Sequence, residues 1–569
     1  MYPTLQIDVY KNFHPQAYHP DVTEVYSNFT NRNGKYAPNN KLGGVVNVGI
    51  QYFIKDYLLN DFSNSFFNLD RKDAVASHQR ILSAMLGYQV DVSRLEELHD
   101  LGYLPLVIKT LPEGTIVPYG LPSFTVASTK DGFQWLTNAI ETVMSSEIWM
   151  MQTSATTAAN YRLNFLRVAR KCGIPEEFVM FQGHDFSFRG MPGRHAAAAS
   201  GFGHLTSFAG TDTVPAVLFA ERYYNANVDT ELVGASVNAT EHSVTCSWQE
   251  EGELAFYRYL MHEVAPEGIL SLVFDTWDFW GGVANILPEL KEEILARDGQ
   301  IVIRPDSGDP VEILCGINVR AIDVETEDFD LWAAYVAETL DEEMCDCLDA
   351  ENPHSEQTGT FGFNGKVFDV VYSPDLNRHD KTYYYIDNYG PTVSYCTFTE
   401  RELTNVDKGL VESLWDIFGG TEKNGYKFLN EKIGAIYGDS ITIERQLQIQ
   451  ERLMAKGFAP TVVLGIGSYT YQMVTRDTHG SAVKATSVVK AGERMAIFKD
   501  PKTDPGKKSA KGLLAIYEDF DGLQLSDDVS EEEERGGLME EIFRDGKLIK
   551  QTSLVNIRNL INSQLEGLI

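Results

Sequence analysis

Ile301-Val-Ile-Arg-Pro-Asp-Ser-Gly-Asp309 is the stretch on which the fold turns. Three apolar residues of strand type run directly into Arg304, Asp306 and Gly308. The pattern recurs at Phe178-Val-Met-Phe-Gln-Gly-His-Asp185, Leu205-Thr-Ser-Phe-Ala-Gly-Thr-Asp212 and Ile269-Leu-Ser-Leu-Val-Phe-Asp275. It returns at Ile433-Gly-Ala-Ile-Tyr-Gly-Asp-Ser440 and Pro460-Thr-Val-Val-Leu-Gly-Ile-Gly-Ser468. Between these runs lie segments compatible with helix, at residues 190–201, 247–262 and 441–456. Buried strands alternating with helices predict a parallel sheet. Polar residues at the carboxyl ends of such strands are where an α/β barrel builds its site. A single Gly or Asp there can be a turn residue, but six in series, with Arg and His among them, favour a site.

The flanks read differently. Residues 1–150 mix aromatic-rich strands with helices such as 73–86, and residues 484–569 hold short strands and a last helix near 555–565. We expect an α+β terminal domain assembled from 1–150 and 484–569. The α/β-barrel domain then spans 151–483 and contains an insertion within about 311–431. The acidic stretches 323–356 and Ser526-Asp-Asp-Val-Ser-Glu-Glu-Glu-Glu-Arg535 read as solvated surface.

With 569 residues, 43% of them hydrophobic, the chain exceeds a single core. No run approaches the about 20 apolar residues of a membrane span. Met1-Tyr-Pro-Thr-Leu-Gln-Ile-Asp8 lacks a basic region followed by an apolar run. A cytoplasmic address is expected. The six cysteines are sparse and irregular, which predicts free thiols. Cys345-x-Cys347 with His354 matches no common zinc spacing. The net charge of −33 disfavours nucleic acid, whose phosphates need clustered Lys and Arg.

Several features instead suit a small phosphate-bearing substrate. Gly465-Ile-Gly467-Ser468 and Gly438-Asp439-Ser440 can offer backbone N–H groups to phosphate. There is no Walker-type loop and no Gly-x-Gly-x-x-Gly opening a helix, so neither a P-loop ATPase nor a Rossmann dehydrogenase is expected. Lys499-Asp-Pro-Lys502-Thr-Asp-Pro-Gly-Lys507-Lys508-Ser-Ala-Lys511 is a basic cluster in an acidic chain. It reads as a solvated turn or as a pyrophosphate site, since several cations can neutralise a polyanion. In Thr240-Glu-His-Ser243, the neighbours Glu241 and Ser243 can orient the His242 imidazole.

Taken together these residues resemble the nicotinamide phosphoribosyltransferases, the type II phosphoribosyltransferases of NAD salvage. Matching blocks include Val25-Tyr-Ser-Asn-Phe-Thr-Asn-Arg32, Leu111-Pro-Glu-Gly-Thr-Ile-Val-Pro-Tyr-Gly120 and His184-Asp-Phe-Ser-Phe-Arg-Gly190. Others are Gly210-Thr-Asp-Thr213, Thr475-Arg-Asp477 and Glu541-Ile-Phe-Arg-Asp-Gly-Lys547. The resemblance implies an irregular α/β barrel and a homodimeric pentosyltransferase joining nicotinamide to phosphoribosyl pyrophosphate. It implies that Phe186 and the partner subunit's Tyr10 sandwich the pyridine ring, with Asp212 and Arg304 on the carboxamide. Arg189, Asp306, Gly438, Asp439, Gly467 and Ser468 would surround the ribose and its phosphate. Arg32, Arg476, Lys484, Lys499 and Lys507 would line the pyrophosphate and ATP site. His242 would be phosphorylated by ATP, with Asp275 beside it, and magnesium would be held mainly by substrate phosphates. Two departures stand out. Ser468 replaces a phosphate-binding glycine, and the segment between Gly308 and Gly438 is much longer than in short relatives and is expected to project from the barrel.

An ionised Asp212 would accept a carboxamide N–H but repel a carboxylate, which argues for nicotinamide over nicotinate. A nicotinate phosphoribosyltransferase and a non-catalytic nucleotide sensor are the alternatives. One outcome separates the phosphohistidine from a merely structural histidine. His242→Ala should abolish stimulation of mononucleotide formation by ATP, and stimulation that survives in the variant refutes the role.

Overall fold

The computed structural model describes residues 2–317, 319–346, 357–364, 366–373, 382–387, 390–438, 440–499, 502 and 509–569. The chain divides into two compact units. One comprises Met1–Val237, Gly438–Leu447 and Val462–Ile569; the other comprises Asn238–Tyr437 and Gln448–Thr461. Among the described residues no helix is long and apolar enough to cross a membrane.

In the first unit, strands from both ends of the chain build a seven-stranded antiparallel sheet. Val22–Asn31 lies between Ser481–Lys490 and Pro122–Ser128, and Leu106–Thr110 and Glu540–Arg544 continue on the Pro122–Ser128 side. Val25 to Phe29 are buried without a break, so both faces of Val22–Asn31 are covered. Phe29 stacks on Phe124 across the strands, with centroids 4.9 Å apart. Phe53, Tyr57, Phe62, Phe66 and Phe543 join the same core.

The 32-residue helix Glu141–Cys172 also belongs to this unit and ends at Gly173, in the left-handed conformation. Its middle is buried despite polar residues, because each finds a partner. Thr156 Oγ1 accepts Val46 N–H (2.9 Å), Asn160 Oδ1 accepts Lys41 N–H (2.7 Å), and Gln152 Oε1 accepts from Asn31 (2.8 Å).

Two of the six expected strands are corrected. Phe178–Gln182 is helical, within Glu176–Gln182, and only Gly183–Asp185 is strand. Pro175 and two acidic residues open that helix, and Val179 and Gln182, three apart, are its buried positions. Leu205 ends the helix Arg194–Leu205, and only Gly210 and Thr211 form isolated parallel bridges, to Ala235 and Asp185. The carbonyls of this turn are met by arginines rather than by a strand. From the carboxyl-terminal helix Leu554–Glu566, Arg558 donates to the carbonyls of Leu205 (2.7 Å), Phe208 (3.0 Å), Leu232 (2.6 Å) and Val233 (2.7 Å). Arg162 donates to that of Ser207.

Gly183–Asp185 runs parallel to Val463–Ile466. In the second unit Asn238–Ala239, Glu267–Val273, Asp298–Arg304 and Ile433–Tyr437 are parallel neighbours in that order. The α/β alternation is therefore present, with Asp275 and Arg304 at carboxyl ends of strands. The long segment also folds within this unit. Helix Phe329–Asp346 covers an antiparallel sheet of Gln357–Phe363, Lys366–Ser373, Gly390–Arg401 and Thr382–Asp387. Trp332, Val336, Leu340, Phe361 and Phe368 form a core of their own there.

Arg558→Met would leave four carbonyls, three of them buried, without this donor. Stability against urea should fall by roughly 3 kcal/mol or more; an unchanged unfolding midpoint refutes the importance of the contact.

Candidate active site

The second unit gathers its site residues where three parallel strands end. Asp275 follows Glu267–Val273, and its side chain is 4% exposed. Its Oδ2 accepts the N–H of Asp306 (3.0 Å) and the hydroxyl of Ser307 (2.6 Å). Its Oδ1 lies 3.9 Å from His242 Nε2 and takes no hydrogen bond from the described residues. His242 Nδ1 meets the Thr276 hydroxyl at 3.1 Å. Glu241 and Ser243 do not orient this imidazole, because the Ser243 hydroxyl donates to the Glu241 carboxylate instead. Thr276 and Asp275 take that part; Thr276 stands next to Asp275 in the strand-end motif but was not singled out. Arg304 donates to the carbonyl of Thr240 (2.8 Å) and lies 3.3 Å from the Asp306 carboxylate.

The first unit holds the remaining described candidates. Phe186 leaves the strand Gly183–Asp185 half-buried, its N–H bound to the Ile466 carbonyl and its ring centroid 4.7 Å from that of His184. Gly465 is required under it. A Cβ there would stand 2.4 Å from the Phe186 ring and 2.8 Å from Gly438 Cα. Asp212 is turned back towards this strand, its N–H bound to the Asp185 carbonyl. Its carboxylate meets His184 Nε2 (2.9 Å) and the Ser236 hydroxyl (2.5 Å) while its side chain stays 48% exposed. Sequence reasoning gave His184 and Ser236 no role; His184 carried a signal, standing two residues before Phe186 in a matching block.

Gly467 precedes the short helix Ser468–Gln472, and the side chain of Ser468 lies over Gly190. A Cβ on Gly190 would come within 2.0 Å of Ser468 Oγ and 2.4 Å of its Cβ. Arg189 is exposed in the same turn, Phe188–Gly190.

A separate cavity of about 240 Å³ in this unit is lined by Arg32, Arg476, Lys484 and Lys499, with Glu141 and Ser145. Glu141 is already paired with the buried Lys11 (2.5 Å). Burial holds the Lys484 ammonium below its ordinary pKa; Glu141 opposes this, while Arg32, Lys499 and Arg476 add to it. Among the described residues the cavity's four cations outnumber its one carboxylate. Tyr10 is 56% exposed beside His14. Asp439 and Lys507, like Cys347 and His354, lie outside the described residues. Among those described, no group of three or more His, Cys, Asp or Glu side chains is arranged to hold a metal.

Known proteins share this arrangement of sequence. Residues 181–351 and 392–546 match the model of the nicotinate phosphoribosyltransferase (NAPRTase) family. The chain is 41% identical over 580 residues to the nicotinamide phosphoribosyltransferase of Acinetobacter baylyi, covering 99% of this chain and 98% of that protein. It is 30% identical over 540 residues to that of Mycoplasma pneumoniae, covering 90% and 96%. The crystal structure of nicotinate-nucleotide pyrophosphorylase from Pyrococcus furiosus is similar in fold, with a TM-score of 0.50 at 11% identity over 99% of this chain and 96% of that one.

The Ser468–Gly190 contact has a direct test. Gly190→Ala should destabilise the protein by roughly 1–3 kcal/mol through overpacking, and adding Ser468→Gly should restore most of the loss. Equal destabilisation in both backgrounds refutes the contact.

Proposed function

The chain belongs to the nicotinate phosphoribosyltransferase family, and on that premise we propose that it is a nicotinamide phosphoribosyltransferase of NAD salvage. It would convert nicotinamide and 5-phosphoribosyl 1-pyrophosphate to nicotinamide mononucleotide and pyrophosphate, in the cytoplasm. The near-full-length relatives carrying that name support the choice. On the molecule itself, the observation that carries the reading is the cavity lined by Arg32, Arg476, Lys484 and Lys499 in a chain of net charge −33. A cluster of cations whose one carboxylate among the described residues is already engaged suits a small polyanion.

The chemistry follows from the residues. Displacing pyrophosphate from the anomeric carbon leaves an oxocarbenium-like centre, and the Lys/Arg lining stabilises the departing charge. The pyridine nitrogen attacks without losing a proton, so no general base is required. The half-buried Phe186 ring offers one face to the pyridine; we assign the other to the partner subunit's Tyr10, in a homodimer. In the first unit Gly438, Gly467 and Ser468 serve the ribose phosphate, with Arg189 beside them. In the second, Asp306 serves the ribose and Arg304 the carboxamide oxygen.

Magnesium takes oxygen ligands and keeps several waters. The buried Oδ1 of Asp275, which accepts no hydrogen bond, fits a place in such a shell, and the substrate's phosphates would supply further ligands. When bound, the ion would offset pyrophosphate charge. ATP would act as a stimulating co-substrate that phosphorylates His242. Thr276, within hydrogen-bond reach of Nδ1, steadies that ring, and Asp275 Oδ1 stands 3.9 Å from Nε2.

Asp212 is the selector of the base. Its carboxylate can accept the carboxamide N–H, whereas a nicotinate carboxylate would meet like charge. Ser236 donates to the Asp212 carboxylate and His184 Nε2 lies within hydrogen-bond reach of it, so the selecting group is held in place.

The test mixes purified protein with phosphoribosyl pyrophosphate, magnesium and either base, and follows mononucleotide formation. Product from nicotinamide supports the reading, and product chiefly from nicotinate overturns the choice of base. With no product from either, a non-catalytic nucleotide-binding role takes its place. Asp212→Asn should narrow the preference for nicotinamide by roughly ten- to a hundredfold; an unchanged preference refutes the selector.

A further inference from the structure

His204 is fully buried near the end of the helix Arg194–Leu205. Its Nε2 lies 2.9 Å from the carbonyl oxygen of Gly210, and its Nδ1 lies 2.7 Å from the hydroxyl of Tyr471. A carbonyl only accepts, so Nε2 carries the proton. Nδ1 is then the acceptor, and the Tyr471 hydroxyl donates to it. Burial keeps the imidazole pKa below its ordinary value and holds that of Tyr471 well above its own. The line of donors from Tyr471 through His204 to Gly210 therefore keeps one polarity at neutral pH.

Both ends of this line reach the proposed site. Gly210 is two residues before Asp212, and its carbonyl also accepts the N–H of Asp185, the residue before Phe186. Tyr471 belongs to Ser468–Gln472, the helix that follows Gly467 and begins with the serine lying over Gly190. The Thr470 hydroxyl ties the same helix to the carbonyl of Ile441 (2.8 Å). The residues assigned to the base and those assigned to the phosphate are thus joined, inside one unit, by two hydrogen bonds that meet on a single imidazole.

We infer that His204 is a positioning residue that sets the spacing between the pyridine-binding and phosphate-binding ends of the first unit. Its task is to let base, ribose and phosphate be held at once. The inference rests on the reading under Proposed function, which supplies the two ends. A histidine that served only the core would support all ligands equally. A spacer instead matters to a ligand that touches both ends, because misplacement is felt only when two anchors must be satisfied together.

Tyr471→Phe removes one hydroxyl and keeps the ring. Calorimetric titration would compare nicotinamide, ribose 5-phosphate and nicotinamide mononucleotide on the full-length protein and on this variant. The two single-ended ligands should bind within about twofold of the unaltered protein, while the mononucleotide should lose about tenfold or more. Parallel loss of all three overturns the inference, as does unchanged mononucleotide binding. If Tyr471→Phe fails to fold, His204→Asn gives the same comparison with the same readings. Failure of the unaltered protein to bind either nicotinamide or the mononucleotide would overturn the underlying function and this inference with it. Binding there, with parallel loss in the variant, overturns the spacer alone.

Discussion

Two buried guanidiniums close the end of the helix Arg194–Leu205, and the segment carrying Asp212 hangs from that contact. A helix leaves its last carbonyls without partners and with partial negative charge. Here Arg558 and Arg162 supply donors and positive charge to the turn at residues 205–208. Burial lowers both guanidinium pKa values to about 10, which still leaves them charged at neutral pH. Arg558 also binds the carbonyls of Leu232 and Val233, just before the Ala235 that bridges Gly210. One side chain therefore fixes the approach to Asp212 and the approach to its hydrogen-bond donor Ser236. The His204 link then carries that order to the helix Ser468–Gln472.

Electrostatics works at two scales. The chain as a whole is strongly negative, which disfavours large polyanions that need a broad basic footprint. Within it, Arg32, Arg476, Lys484 and Lys499 face one another across a small cavity. Their mutual repulsion costs the empty protein stability, and a bound polyanion offsets it. Burial lowers the pKa of Lys484, and Arg32, Lys499 and Arg476 add to that lowering.

Strand ends were the most legible part of the sequence. Ile301-Val-Ile-Arg304 and Ile269-Leu-Ser-Leu-Val-Phe-Asp275 read correctly because buried parallel strands leave continuous apolar runs that polar residues terminate. Phe178-Val-Met-Phe looks the same by composition and is helix, since a short apolar run has no period of its own; Pro175 and Glu176-Glu177 were the better guide. Leu205-Thr-Ser-Phe-Ala misled because its carbonyls are satisfied by Arg558, more than 300 residues away, and no local pattern encodes that. The placing of Asp275, Arg304 and Asp306 where strands end was legible in the same runs. The contacts of Thr276 with His242, and of His184 and Ser236 with Asp212, were not legible, because a hydroxyl or imidazole becomes informative only once folding brings a carboxylate or ring nitrogen within reach. Glu241 and Ser243 show the converse, since neighbours in sequence chose each other over His242.

The sequence separations in the Arg558 contact bear on how the protein is made. Its acceptors lie 325 to 353 residues earlier. The strand Val22–Asn31 likewise waits for Ser481–Lys490 to pair along its length. Pairings this distant form slowly, and during synthesis the earlier partner must wait with its polar groups unmet. A ribosome that stalls between residues 507 and 558 releases a chain that holds every candidate side chain yet cannot lock the Asp212 segment. Competence thus waits on residue 558, so products truncated before it are predisposed to be inert and open to proteolysis rather than partly active.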